Sequence, residues 1–346
     1  MKLRQRGLWP ALTLFFLAPA VGELLSSSAP PVEFFNPVVL FLLAALYGSG
    51  AILIHELRVH WGKGGLTALV LGAAYGIVEE GLMVKSFFDP HWMDLGLLGA
   101  YGRWAGVNWV WSLGLTVYHA VFSIAIPILL VELLFPAQRD KRWIGRRGMI
   151  GLSLLLLVDG LLIFFLLTPY RPPLVPYTLS VVAVVVLFLV ARWLPTCRES
   201  RPDHVPPLDG PSAGSGYQLR AARPLWFAFV GLGATAASFL AFWVLPELAV
   251  PVPLTMLTII ALVVLAMGLV RWMSRRGAWT DQHRLALAGG ALTFFMLLSP
   301  LVELDTARPD NPIGMTLVGL VTLLFLIWLW WRVRGRIRRL ALDPAA

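Results

Sequence analysis

Charge is what this chain has least of. Only 14% of its 346 residues are Asp, Glu, Lys or Arg, against about 25% in a soluble domain. Cysteine is nearly absent. The single one, Cys197, excludes an internal disulfide and a cysteine-rich metal site. Polar–apolar alternation is missing from the long runs, which excludes the strands of a membrane barrel. No internal repeat is present either. What is abundant is apolar: 58% of the residues, gathered into runs of about 20, the length a helix needs to cross about 30 Å of hydrocarbon. Inside lipid each backbone amide must be satisfied within its own segment, so these runs are helices. The reading is an all-α, polytopic transmembrane helical bundle of about ten helices in the cell membrane, with the lipid bilayer as its first partner.

The runs fall at about 8–25, 38–57, 66–88, 107–135, 149–168 and 174–194, then at 225–245, 254–273, 285–302 and 313–331. The first follows a basic start, MKLRQR, and reads either as a signal peptide with a weak small-residue site at Ala18-Pro19-Ala20 or as a retained helix. Proline within the site disfavours cleavage, and the apolar run continues past it, so the retained helix is preferred. Residues 195–223 are rich in Pro, Gly, Ser and charge and read as a flexible connection. They divide the chain into 1–194, which carries the polar centre, and 224–332, an apolar scaffold, followed by a basic tail, 333–346.

Lysine and arginine set the expected orientation. With the N-terminus in the cytoplasm and ten alternating helices, the cytoplasmic segments take nearly all of the 28 basic residues. Only Arg103, Arg171 and Arg308 fall outside, with Lys85 at the outer end of the third helix, where it is expected to snorkel to the interface. Both termini are then cytoplasmic. The net charge of +9 is accounted for by this placement and needs no nucleic acid.

A charge inside an apolar segment costs about 2.5–3.5 kcal/mol even on gentle insertion scales, and such groups default to a functional hypothesis. They concentrate in the third to fifth helices. In the third, Gly72, Gly76 and Glu80 recur every four residues and share a face that another backbone can approach closely. Glu79 lies about 100° round a regular helix from Glu80. In the fourth, Asn108, Ser112, Thr116, His119 and Ser123 fall within about 80° of arc and form one polar stripe. Glu80 is expected about 12 Å, and His119 about 18 Å, below the outer boundary, so a tilt brings them level. Asp159, midway along the fifth helix, can join them or stand as a lone core acid. His55 and Glu56, beside Arg58, His60 and Lys63, read as an interfacial charge cluster.

The double glutamate Glu79-Glu80 in one helix, followed by Tyr118-His119 with Phe122 in the next, resembles the CAAX-protease and bacteriocin-processing family and the related PrsW-type membrane proteases. The resemblance covers about residues 75–123. It implies an intramembrane site in which Glu79, Glu80 and His119 activate water. The second histidine helix of that superfamily has no counterpart here.

Three readings stand side by side. The first is a membrane-embedded hydrolase acting on a membrane-protein or lipid substrate, with a glutamate as general base. In it, one His and two Glu form a minimal set for a divalent metal such as zinc, Glu80 and His119 being the candidate ligands. The second is a proton-linked carrier using the same acids. The third is a non-catalytic scaffold in which the polar groups lock helices together.

Overall fold

The computed structural model describes residues 2–196, 222–275 and 279–342. Among these, ten helices are long and apolar enough to cross a membrane. They are α1 (Gly7–Leu24), α2 (Pro37–His60), α3 (Gly65–Met83), α4 (Trp109–Leu134), α5 (Arg146–Leu167), α6 (Leu174–Trp193), α7 (Pro224–Glu247), α8 (Val252–Ser274), α9 (Asp281–Leu304) and α10 (Met315–Arg339). The chain is an all-α polytopic protein with one small antiparallel hairpin, β1 (Arg103–Trp104) and β2 (Val107–Asn108). Most of the connection expected at 195–223, with Cys197, lies outside the described residues.

Helix α3 stops five residues short of the expected end. Lys85 takes φ +68°, a left-handed conformation that no helix continues through. Phe87 and Phe88 then turn inward as buried core rather than a last helical turn. Lys85 does not snorkel. It is fully buried, and its Nζ donates to the carbonyls of Phe164 (2.7 Å), Tyr170 (3.0 Å) and Thr168. The last carbonyls of a helix have no intrahelical donor and carry partial negative charge. One lysine on the turn after α3 therefore closes the end of α5. The hairpin starts α4 later than expected. Its connecting residues, Ala105 and Gly106, both have positive φ, the geometry that joins two strands through a two-residue turn.

Helix α4 is the centre of the bundle. Its apolar window is 72% buried, against 6% for α6. On one side Ile124, Ile128 and Val131 meet Leu14 and Ala18 of α1, Ile52 of α2 and Leu71 of α3. On the other, Phe122, Leu130 and Leu133 meet Leu292 and Phe295 of α9 and Leu329 of α10. Helices α5 to α8 keep large apolar side chains on the surface, such as Leu166, Leu174, Leu225 and Val264, as lipid-facing walls do.

The two ends of the bundle differ. At one, the start of α1, the 135–145 connection, the start of α9 and the end of α10 meet. Gly7 lies against the Trp143 backbone, Arg139 pairs with Asp281 at 2.7 Å, and Arg332 donates to the Leu134 carbonyl. At the other end lies the hairpin. There Tyr101 donates to the Val250 carbonyl at 2.6 Å, and Arg308 links Asp310 to the Ser27 carbonyl. Hydrogen bonding to Arg308 holds the Asp310 carboxyl below the usual carboxylate range.

His55 and Glu56 lie in the last turns of α2, within a charge cluster that the protein covers. Both are completely buried beneath the 135–145 connection. Glu56 accepts from the Trp143 and Ile144 amides and from Arg142 at 3.0 Å. The His55 ring stacks on Trp143, with centroids 3.5 Å apart. Beside them Arg58 of α2 pairs with Glu132 of α4. Buried charges persist when paired and hydrogen-bonded; here Glu56 accepts three donors and Arg58 is paired with Glu132.

Orientation is testable at two exposed positions. In a cysteine-free background, cysteine at Met93 of the hairpin end, which is 83% exposed, should react with an impermeant maleimide on intact cells. Cysteine at the exposed Lys141 of the other end should react only after permeabilisation. The reverse labelling would overturn the expected cytoplasmic termini.

Candidate functional site

Among the described residues five helices carry a wide π-helical turn: Ile163–Leu167 in α5, and four that surround one cluster, Ala20–Leu24 in α1, Ala44–Gly48 in α2, Ile77–Met83 in α3 and His119–Ala125 in α4. Such turns make up well under about 1% of residues in soluble proteins and concentrate at functional sites. Each of these four holds a polar or titratable side chain of one cluster: Glu23, Tyr47, the pair Glu79 and Glu80, and His119 with Ser123.

Close packing of α3 on α4 sets the cluster. A Cβ on Gly72 would lie 2.9 Å from the Ala120 Cα, and one on Gly76 would lie 2.9 Å from the His119 Cβ. The glycine face thus faces the histidine stripe, and Glu80, one step further along that face, reaches His119. The wide turn then changes the geometry expected for Glu79. Within it both carboxylates reach His119 of α4. Glu80 Oε1 lies 3.2 Å from His119 Nε2, and Glu79 Oε2 lies 3.3 Å from His119 Nδ1. One imidazole stands between two adjacent acids.

The surroundings fix these groups. Ser123 Oγ is 2.9 Å from His119 Nδ1. Glu80 Oε2 accepts from Ser86, whose hydroxyl in turn accepts from Trp111 Nε1 at 2.9 Å. Three tyrosine rings surround the imidazole. Those of Tyr47, Tyr75 and Tyr118 have centroids 6.0, 6.3 and 5.5 Å away. The Tyr47 hydroxyl donates to Glu23. Glu79 and His119 are sealed off, whereas the Glu80 side chain keeps 14% of its surface exposed.

The distances admit two tautomers of His119. In the one with the Nδ1 proton directed at Ser123, Nε2 presents a lone pair to Glu80 Oε1 at 3.2 Å. Two lone pairs at that separation repel unless a proton or a cation lies between them. One ligand atom from each of Glu79, Glu80 and His119 lies within 4.8 Å of the others. The 3.2 Å separation is close to the edge of a tetrahedron with bonds of about 2.0 Å, which is about 3.3 Å. The Tyr75 hydroxyl is buried here without a hydrogen-bond partner.

The rest of the expected stripe divides. Asn108 caps α4, accepting from the Trp111 amide at 3.0 Å and donating to the Leu98 carbonyl. Ser112 bonds back to the Asn108 carbonyl at 2.6 Å. Both serve the helix start, not the cluster. Thr116 faces Gly76 at the α3–α4 contact. Asp159 is buried with neither oxygen hydrogen-bonded to protein, and it does not join the triad. Glu23, Tyr47, Ser86 and Trp111 were not anticipated. Glu23 alone carried a signal, as an acid closing an apolar run.

No curated protein and no solved structure matches this chain. A family model does, over residues 12–341, a stretch that includes these wide turns and every residue of the cluster. What that family shares is membrane residence, and its description attaches no activity. The chain belongs to this uncharacterized membrane protein family.

Proposed function

We propose that this protein is a membrane-embedded, metal-assisted hydrolase whose centre is Glu79, Glu80 and His119. The observation that carries the reading is the convergence of two carboxylates and one imidazole at a single buried point, on wide turns of two facing helices. The donors suit a zinc-type ion in number, type and spacing. Such an ion would polarise the scissile carbonyl and the attacking water.

The chain's own residues supply the remaining chemistry. Ser123 holds the Nδ1 proton of His119, which keeps the Nε2 lone pair on the Glu80 side. Outer hydrogen-bonding groups fix metal-binding histidines in this way. Ser86, steadied by Trp111, fixes the Glu80 carboxylate. Glu80 is the acid with exposed surface, so water can reach it. It takes a proton from water as the oxygen bonds to the substrate carbonyl carbon. It returns that proton to the leaving nitrogen or oxygen as the bond to carbon breaks. The depth of the site in the bundle favours a substrate bond that lies within the membrane, in a transmembrane peptide or a lipid.

Purified protein in lipid vesicles should contain about one zinc-type ion per chain and cleave membrane-embedded peptide or ester substrates. A chelator should stop cleavage, and added zinc should restore it. A folded protein that takes up no metal and cleaves nothing would leave Glu79, His119 and Glu80 as a lock between α3 and α4. That outcome overturns the proposal.

A further inference from the structure

Helix α1 lies outside the Glu79–Glu80–His119 triad, yet two adjacent residues of its wide turn hold three neighbours of the imidazole. Glu23 accepts the hydroxyl of Tyr47, whose ring stacks on His119 at 6.0 Å with an interplanar angle of 30°. The Gly22 carbonyl accepts the hydroxyl of Tyr118, whose ring meets His119 edge-on at 5.5 Å. The Cα of Gly22 also packs so closely that an added Cβ would lie 3.0 Å from Ser123 Oγ and 3.1 Å from the Tyr47 ring. Ser123 is itself bonded to His119 Nδ1.

We infer that the Gly22–Glu23 turn is the outer bracket of the site, and that Glu23, through Tyr47, is a positioning residue for His119. The inference rests on the metal reading proposed above. An imidazole that must aim one lone pair at a cation needs its ring plane and tilt fixed, and groups that do this for metal-bound histidines are typically worth about 10- to 100-fold in metal affinity. The hydrogen bond with Ser123 fixes the in-plane direction of the ring. The stacked Tyr47 ring fixes its tilt, and Tyr47 is held in turn by Glu23. A buried carboxylate is costly unless it is hydrogen-bonded. Glu23 is partly buried in α1, and among the described residues its side-chain donor is the hydroxyl of a ring that faces His119. The role is geometric, so an uncharged acceptor can replace the acid.

The test is a cobalt(II) titration of the full-length protein in detergent, read by visible absorption, beside its melting temperature. Tyr47→Phe keeps the ring and removes the hydroxyl. Glu23→Leu removes the acceptor, and Glu23→Gln preserves one. Tyr47→Phe and Glu23→Leu should weaken cobalt binding by about 10- to 100-fold, while Glu23→Gln keeps most of the affinity. If Tyr47→Phe and Glu23→Leu bind cobalt like the wild type and only melt earlier, α1 merely packs and the inference falls. If Glu23→Gln is as damaging as Glu23→Leu, the charge matters rather than the position, and the positioning role falls. A wild-type protein that binds no cobalt instead overturns the metal centre itself, an outcome visible in that arm alone.

Discussion

Glu80→Gln and His119→Ala, made singly, should each abolish metal uptake and lower hydrolysis by about 100- to 10,000-fold, while the protein still folds. Glu80→Gln keeps the shape of the side chain and its bond from Ser86 but removes the carboxylate facing His119 Nε2 at 3.2 Å. His119→Ala removes the imidazole that both acids share. Residues that act as one unit are strongly non-additive, so the double variant should be no slower than the slower single. Additive losses would mean that the two groups work separately. Retained activity with a lowered melting temperature would mean that they only hold α3 to α4.

The largest stability effect is expected far from that site, at the clasp. Glu132→Ala leaves Arg58 buried without its counter-charge, and breaking one side of a buried pair typically costs about 3–5 kcal/mol. Arg58→Met with Glu132→Leu removes both charges and should recover most of that loss, because well-packed apolar residues often replace a buried pair at little cost. Denaturation in detergent followed by helix content measures both variants. A single variant that loses less than about 1 kcal/mol, the ordinary worth of an exposed pair, would show that water reaches Arg58 and that the clasp is not sealed.

The helices were legible because apolar runs of spanning length have one structural solution in lipid. The α3–α4 contact was legible for a similar reason, since glycines at Gly72 and Gly76 invite close approach and a histidine in an apolar run needs partners. The position of Glu79 was not. A regular helix turns it away from Glu80, and nothing in IVEEGLM announces a wide turn. The same blind spot hid Glu23 and Tyr47, whose meeting depends on where α1 and α2 widen and cross. Asn108 and Ser112 share the face of His119 on a helical wheel but spend their hydrogen bonds on the start of α4. Angular position does not reveal whether a polar group answers a neighbouring helix or its own backbone. Lys85 looked peripheral at the end of an apolar run. The left-handed turn there sends it inward to carbonyls more than 75 residues along the chain.

The single site shared by Glu79, Glu80 and His119 is tested most directly by X-ray absorption at the zinc edge. The full-length protein would be loaded with one equivalent of zinc and compared with His119→Ala. The expected spectrum shows one imidazole nitrogen and carboxylate oxygens at about 2.0–2.2 Å, with no sulfur, and the imidazole signal disappears in the variant. Fully hydrated zinc in the wild type, or a spectrum that His119→Ala leaves unchanged, would contradict a shared site.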